Sequence, residues 1–172
     1  ALADAEVEYQ DHKSDTIYVS FPIKSSNIKE LENSNVIIWT TTPWTIPANK
    51  ALAYNENLDY LLIEVSDDGD FKNKKIIVAE ALLETTIKDC EIKNYKNLKK
   101  FNGKDLQGTI CNHPFLDLGY NYDVPMLNAR FVTTEQGTGI VHCAPSHGPD
   151  DFNLCLNNGI KAIETVDGDG KY

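Results

Sequence analysis

Short runs of β-branched and aromatic residues recur along this chain, and each run ends at Asn, Asp, Gly or Pro. This pattern constrains the fold more than any other feature, because such runs are typical of β-strands. We predict six strands: Thr16–Phe21, Val36–Thr41, Tyr60–Val65, Lys75–Ala79, Ile140–Cys143 and Lys161–Val166. Residues Asp67–Lys75 predict a hairpin loop that turns at Asp68-Gly69.

Two helices are predicted beside the strands. The first covers Ala79–Ile87 and places Leu82, Leu83 and Thr86 on one face. The second begins at Pro149, a residue that suits the first helical position, and stops at Gly159. Its apolar residues predict a stripe that faces the core: Phe152, Cys155 and Leu156.

The pattern as a whole predicts a mainly β fold. Lys88–Gln107 is rich in Lys and Asn and predicts an excursion on the surface. Many short strands with a few peripheral helices are typical of a β-barrel or a strongly curved mixed sheet. A length of 172 residues suits one core of ordinary size, so we expect a single domain over residues 1–172.

Charge and cysteine usage narrow the classes of function. The formal net charge is −10 and only one of the 16 basic residues is an arginine, which argues against binding of nucleic acid irrespective of sequence. Any contact with nucleic acid is expected at an end or at a few nucleotides. The four cysteines are widely spaced without a CxxC motif, which favours reduced thiols in the cytoplasm.

Neither a membrane span nor a signal peptide is predicted. The longest apolar runs, such as Val36–Trp39 and Tyr60–Ile63, are far too short to cross a bilayer. Ala1–Asp11 has neither the basic start nor the apolar centre of a signal peptide. The chain also begins without Met, so we expect it to be part of a longer protein.

The segment Trp39–Asn49 (WTTTPWTIPAN) concentrates four threonines, two tryptophans and two prolines. Three of the threonines stand where the predicted strand ends, and alternation puts Thr40 and Thr42 on one side and Thr41 on the other. Hydroxyls on stiff β-branched side chains offer donors and acceptors without net charge. This property suits the binding of a ribose hydroxyl, a carbonyl oxygen or an attacking water.

A purely structural interpretation of these threonines stays open. Threonine is common at strand ends and at helix caps, and Thr45 is a candidate cap for a helix over Ile46–Lys50.

The segment Gly137–Phe152 (GTGIVHCAPSHGPDDF) places two histidines and two aspartates around an Ala-Pro turn. Its Gly-Thr-Gly start predicts a tight turn or a bulge. Asp150 is expected to cap the second helix. Asp151, one position on, is expected to face a pocket formed by the Pro145 turn and to stay ionised beside the helix N-terminus, where it suits a substrate ammonium.

Two further interpretations of this segment stay open. His142 and His147, with Cys143 and the aspartates nearby, are candidates for a metal site, although their spacing is not a helical i, i+4 pair. Cys143 and His147 are also candidates for a nucleophilic pair, although no third residue beside them is placed to orient the histidine.

Together, the two segments resemble the editing domain of the isoleucyl-tRNA synthetase family, an insertion in class I synthetases that hydrolyses misformed valyl products. The resemblance covers essentially the whole chain, and residues 1–10 and 165–172 resemble the ribbons that connect the insertion to its parent. Thr42-Pro43-Trp44 stands where the valyl and leucyl editing domains have a Thr-Thr-Arg-Pro pattern, which favours the isoleucyl branch.

The resemblance implies a role for each residue of the site. Asp151 resembles the aspartate that holds the α-ammonium of the aminoacyl group. Thr40, Thr41 and Thr42 resemble threonines that contact the terminal adenosine and position water at the ester. Five other residues resemble substrate-binding residues of the pocket: Thr45, His142, Trp39, Trp44 and Asn49. Of these, Thr45 and His142 resemble the wall residues that set which side chain fits.

The activity implied by the resemblance is deacylation of Val-tRNA(Ile), with hydrolysis of valyl-adenylate in the same pocket. The implied partners are the 3′ end of tRNA(Ile), valyl-adenylate and the remaining domains of the parent synthetase. No cofactor is expected in this domain, whereas the parent is expected to use ATP and magnesium. Two alternatives remain: a module that only docks the tRNA acceptor end, and a metal-dependent hydrolase that uses His142, His147 and Asp150.

Overall fold

The computed structural model describes residues 15–66 and 69–171 of the chain. The described part contains nine strands: β1 (Ile17–Ser25), β2 (Asn35–Thr40), β3 (Ala51–Tyr54), β4 (Asp59–Val65), β5 (Lys75–Ala79), β6 (Tyr95–Asn102), β7 (Ile110–Asn112), β8 (Asp123–Asn128) and β9 (Ile140–Cys143). It also contains two α-helices, α1 (Leu83–Asp89) and α2 (Pro149–Asn157). Short 3₁₀ helices cover Lys29–Leu31, Pro43–Ala48, Glu80–Leu82, Gly103–Leu106 and Leu116–Leu118.

All nine strands belong to one mixed sheet in the order β6-β4-β5-β2-β1-β7-β8-β3-β9. The pairs β2–β5 and β3–β8 are parallel, and the other neighbours are antiparallel. The prediction of a mainly β mixed sheet with a few helices is therefore confirmed. The predicted β-barrel is wrong, because within the described residues the sheet stays open, with β6 and β9 at its two edges, although β9 packs near β2.

Two apolar clusters hold the sheet together. The larger one is formed by aliphatic and aromatic side chains of β1, β2, β4 and β5, among them the fully buried Phe21, Ile37 and Tyr60. The smaller one consists of small side chains under α2: Ala51, Ala53, Ala129, Val132, Cys143 and Cys155. Cys155 joins α2 to this cluster, in which it packs with Ala51 and Ala53 of β3 and Cys143 of β9.

The predicted core stripe of the second helix is wrong in part. The helix begins at Pro149 as expected, but only Cys155 of the stripe is buried. Phe152 and Leu156 are 42% and 56% exposed. Cys155 is the one residue of the stripe in the smaller cluster, and Leu154, which is not part of the stripe, packs against that cluster.

Four other predictions are corrected by the structure. Lys88–Gln107 is not a simple excursion, because it contains the edge strand β6. Lys161–Val166 forms no strand; Ser146 and His147 bond to its Ile163 carbonyl and to the Thr165 hydroxyl instead. The first helix starts at Leu83, after a 3₁₀ turn. A 3₁₀ helix over Pro43–Ala48 replaces the helix proposed for Ile46–Lys50.

Some predictions lie partly outside the described residues. The hairpin between β4 and β5 is confirmed by their antiparallel pairing. Its turn includes Asp67 and Asp68, and the first proposed ribbon covers residues 1–10, all outside the described part. All four cysteines are described, and they are free thiols. None of the helices in the described ranges is long and apolar enough to cross a membrane.

Candidate functional site

The pairing of β3 with β9 brings the threonine-rich and the histidine–aspartate segments together. The threonine-rich segment leaves β2 at Thr40, forms the 3₁₀ helix Pro43–Ala48 and continues directly into β3. In the β3–β9 register, Leu52 lies opposite His142, and the Lys50 N–H donates to the Cys143 carbonyl over 2.9 Å. Residues almost a hundred positions apart in the chain therefore share one wall.

Gly139 allows β9 to start close to the end of β5. Its φ of +76° lies in the left-handed region, and a Cβ there would be 2.3 Å from the Ala79 Cβ. The turn before β9 is fixed by the Ala79 N–H, which donates to the Thr138 carbonyl over 2.8 Å. The expectation of a tight turn at this Gly-Thr-Gly sequence is confirmed.

A cavity of about 480 Å³ lies between the two segments. Eight of the nine predicted site residues line it: Trp39, Thr40, Thr41, Thr42, Trp44, Thr45, His142 and Asp151. The ninth, Asn49, is fully buried behind the His142 ring. The cavity is large enough for an amino acid with part of a nucleoside.

The threonine wall is a connected set of hydroxyls. The Thr42 N–H donates to Thr40 Oγ1 over 3.0 Å, and the Thr40 and Thr42 hydroxyls are 3.3 Å apart. Thr45 Oγ1 donates to the Thr42 carbonyl over 2.8 Å. Thr40 and Thr42 thus lie on one side as predicted, whereas Thr41 is exposed at the cavity. This wall offers oriented, uncharged donors and acceptors to a ligand.

Both ring nitrogens of His142 contact the threonine-rich segment. Nε2 lies 2.9 Å from Thr45 Oγ1, and Nδ1 lies 3.4 Å from Asn49 Nδ2. Since the Asn49 amide also donates to the Ala51 carbonyl, it faces Nδ1 as a donor, and the ring proton is assigned to Nε2. Burial lowers the pKa of His142 to about 4, with His147 and His113 adding to the shift. His142 is therefore a neutral wall residue and is unsuited to act as a general base at pH 7.

The buried His142 predicts a change of stability with pH. Its pKa of about 4 in the folded protein lies below the ordinary histidine value of 6.5, so the unfolded chain binds more protons between these pH values. The free energy of unfolding should consequently gain about 3 kcal/mol from His142 as the pH rises from 4 to 7. Denaturant titrations at several pH values should show this gain in the native chain and its loss in His142→Gln. Equal pH profiles for the two chains would contradict the buried neutral histidine.

Asp151 faces the cavity from the first turn of α2. Its Oδ2 accepts the Ala144 N–H over 2.8 Å, and the Cys143 thiol, which donates to the Val141 carbonyl, lies beside the carboxylate. Burial raises the pKa of Asp151 above its usual value, and the Ala144 hydrogen bond opposes this shift. The net shift is upward, against the expectation from the helix N-terminus alone. A partly buried carboxylate of this kind is stabilised by a bound cation.

Asp150 does not cap the helix. The N-cap residue is Gly148, which has no side chain to accept a bond, and the exposed Asp150 adds only its charge to the first turn.

The geometry disfavours the two other chemistries considered from the sequence. Burial, with Asp151 nearby, raises the pKa of the Cys143 thiol far above its usual range, which is the opposite of an activated nucleophile. His147 Nε2 bonds to the Thr165 hydroxyl. Within residues 15–66 and 69–171, no three His, Cys, Asp or Glu side chains converge as a metal site requires.

Several residues of the site carried no signal in the sequence. The rim of the cavity includes Phe131, Thr133 and Gln136, which lie in an irregular loop before β9. His113 also lies close enough to influence His142, although the sequence suggested no further histidine near the site. No motif surrounds these residues, so only the tertiary structure reveals them.

A larger and more open groove of about 840 Å³ lies elsewhere, lined by residues such as Tyr18 and Asp89. These two side chains are bonded to each other over 2.8 Å. None of the residues predicted from the motifs lines this groove, and the smaller cavity is the better candidate site.

Comparison with known proteins gives relatives for the whole chain. The chain is 83% identical over 172 residues to the isoleucine–tRNA ligase of Pelagibacter ubique (strain HTCC1062), a match that covers 100% of this chain and 19% of that protein. It is 45% identical over 178 residues to the isoleucine–tRNA ligase of Gluconobacter oxydans (strain 621H), covering 100% of the chain and 18% of that protein. The chain thus spans about a fifth of these relatives. No protein-family model matches it.

Solved structures share the fold. The structure of GlLeuRS-CP1 matches with a TM-score of 0.62 and 16% identity, covering 86% of this chain and 65% of that chain. The cytosolic leucyl-tRNA synthetase editing domain of P. knowlesi matches with a TM-score of 0.60 and 16% identity, covering 83% and 60%. At this identity the likeness concerns the fold, and it confirms the fold implied by the resemblance of the sequence.

Proposed function

We propose a function from the premise that this chain belongs to the isoleucine–tRNA ligase family, which it matches over its whole length. The chain is the editing domain of its parent and hydrolyses the ester of Val-tRNA(Ile), and also valyl-adenylate, in one pocket. The observation that carries this proposal is the shared cavity: an aspartate, a wall of threonine hydroxyls and a neutral histidine enclose a space of about 480 Å³.

Asp151 binds the α-ammonium of the valyl group. The Ala144 N–H holds the carboxylate in place on the cavity wall. An ammonium beside it compensates for the burial of its negative charge, so binding orients the ester.

The hydroxyls of Thr40, Thr41 and Thr42 bind the terminal adenosine and position a water at the ester carbonyl. The water attacks the carbonyl carbon, the ester C–O bond breaks, and the water proton passes to the departing ribose oxygen, with the vicinal ribose hydroxyl as the shuttle. An aminoacyl ester is already activated, so orientation and donors to the oxyanion suffice without a strong base. The neutral state of His142 agrees with such a mechanism.

Thr45 and His142 set the size limit of the pocket. The isoleucine–valine pair of these synthetases is a standard case in which one methylene gives only about 1–3 kcal/mol of discrimination. A second pocket that excludes isoleucine removes the valyl product. Trp39 and Trp44 flank the same cavity and contact the substrate, whereas Asn49 acts through the His142 ring.

The partners in this proposal are the 3′ end of tRNA(Ile), valyl-adenylate and the remaining domains of the parent, in the cytoplasm. The residues of the pocket supply the whole reaction, so the domain needs no cofactor, whereas the parent uses ATP and magnesium for charging. The net charge of −10 favours binding of a tRNA end with most of the phosphate contacts made by other domains.

The proposal is tested with pre-charged Val-tRNA(Ile) and the full-length parent enzyme. We expect release of valine at a rate well above spontaneous hydrolysis, and we expect the same rate after addition of excess EDTA in monovalent salt. Binding of the tRNA without release of valine would favour the docking module. Loss of hydrolysis in EDTA, restored by a divalent metal, would favour the metal-dependent hydrolase.

A further inference from the structure

A group of aromatic residues lies behind the threonine wall, outside the cavity. The rings of Phe115, Tyr120 and Tyr122 surround the buried His113, and Tyr120 stacks on it with ring centroids 4.6 Å apart. The Lys50 ammonium lies 3.8 Å from the centroid of the Tyr122 ring. Residues 113–122, which we term the support loop, connect β7 to β8 and therefore belong to neither motif of the site.

The support loop binds the backbone of the threonine-rich segment at two points. His113 Nδ1 accepts the Phe115 N–H over 3.1 Å, which leaves the ring proton on Nε2, and Nε2 donates to the Ile46 carbonyl over 3.0 Å. The Tyr122 hydroxyl donates to the Asn49 carbonyl over 2.7 Å. Burial lowers the pKa of His113, in agreement with a neutral ring in this arrangement.

One of these carbonyls belongs to Asn49, which contacts His142, and the other to Ile46, the residue after Thr45. Ile46 directly follows Thr45, which bonds to His142 Nε2, and Asn49 bonds to His142 Nδ1. A shift of the Ile46–Asn49 backbone would therefore move both partners of the His142 ring. Because a displacement of about 1 Å is enough to change a rate substantially, small shifts at this point matter for the reaction.

We infer that His113 and Tyr122 are positioning residues that set the size limit of the editing pocket through the backbone of residues 46–49. This inference rests on the proposed function and adds two residues to it. Neither residue lines the cavity. They therefore influence the choice between valyl and isoleucyl esters without contacting the substrate.

Tyr122→Phe in the full-length parent enzyme tests the inference. This change removes one hydroxyl and keeps the ring under Lys50 and beside His113. One neutral hydrogen bond contributes about 1 kcal/mol, so we expect the ratio of kcat/KM for Val-tRNA(Ile) over Ile-tRNA(Ile) to fall about fivefold. We expect the change in the isoleucyl ester, whose kcat/KM should rise, while kcat and KM for the valyl ester stay near native because the Asp151 contact to the substrate is intact.

Tyr120→Phe is the matched control, because Tyr120 contributes its stacked ring to the same loop. We expect its ratio to stay within twofold of the native value, and aminoacylation with isoleucine to be unchanged in both variants. A second pair tests His113: a Gln at this position can still donate to the Ile46 carbonyl, so His113→Gln should retain more discrimination than His113→Leu.

The outcomes separate this inference from the proposed function. A native enzyme that does not hydrolyse Val-tRNA(Ile) would overturn both. Native hydrolysis with equal ratios in Tyr122→Phe and Tyr120→Phe would overturn the positioning role alone. A parallel fall of both ester activities, with discrimination intact, would also reject it, because a general loss of stability would explain that result.

Discussion

Asp151→Asn is expected to slow deacylation of Val-tRNA(Ile) by about 100- to 1000-fold. Removing one partner of a buried, hydrogen-bonded charge pair costs about 2–5 kcal/mol, and here the partner that remains is the substrate ammonium. The fold should persist, because the asparagine carbonyl can still accept the Ala144 N–H. Asp151→Ala should abolish the activity as well, with the loss of that bond in addition.

The measurement is the rate of valine release from pre-charged tRNA by the full-length parent. Asp150→Asn is the matched control, because Asp150 is adjacent, exposed and carries the same charge. That variant should retain nearly native activity, and isoleucine charging should be unchanged in both. Full retention of deacylation in Asp151→Asn would refute the role of this carboxylate.

His142→Ala is expected to open the pocket to the cognate ester. The imidazole forms the wall between Thr45 and Asn49, and its removal provides more volume than the one methylene that separates isoleucine from valine. Exclusion of one methylene accounts for a factor of about 10–200, and we expect hydrolysis of Ile-tRNA(Ile) to rise by a factor in this range. The assay compares release of isoleucine and of valine by the same enzyme preparation.

This variant also loses two hydrogen bonds, so the fold needs its own check. Removal of the ring takes one hydrogen bond from the Thr45 hydroxyl and one from the Asn49 amide, which keep their bonds to the Thr42 and Ala51 carbonyls. Each lost bond costs about 1 kcal/mol. Isoleucine charging and the thermal unfolding profile should show that the protein remains folded. An intact variant that still spares Ile-tRNA(Ile) would show that His142 does not set the size limit.

Strands were predictable from the sequence where a buried strand consists of β-branched residues. β5 and β9 have the predicted bounds, because they are short β-branched runs between clear breakers. The composition pattern did not reveal a buried strand without β-branched residues, nor an exposed strand at the edge of the sheet. β3 (ALAY) is fully buried but short and rich in alanine, and β6 is a lysine-rich edge strand whose outer face is solvated.

Lys161–Val166 shows the opposite failure. Its composition is that of a strand, yet no neighbouring strand is available to pair with it among the described residues. Side chains of Ser146 and His147 provide its contacts instead. Strand formation depends on a partner elsewhere in the chain, and local composition carries no information on that partner.

The site was predictable to the extent that it lies in two dense motifs. The threonines cluster at the end of a strand and Asp151 lies at the start of a helix, and the structure brings them to one cavity. The direction of the Asn49 side chain was not predictable, because it depends on the Ala51 carbonyl and the His142 ring. The role of the support loop was not predictable either. Its hydrogen bonds go to backbone carbonyls of the threonine-rich segment, which any residue type provides.

The two-sided anchorage of the His142 imidazole has an evolutionary consequence. A lineage that exchanges this histidine alone leaves the Thr45 hydroxyl and the Asn49 carboxamide each short of one hydrogen bond at buried positions. Positions 45, 49 and 142 should therefore change together in evolution. A substitution at one of them should be tolerated mainly where compensating changes at the other two are already present.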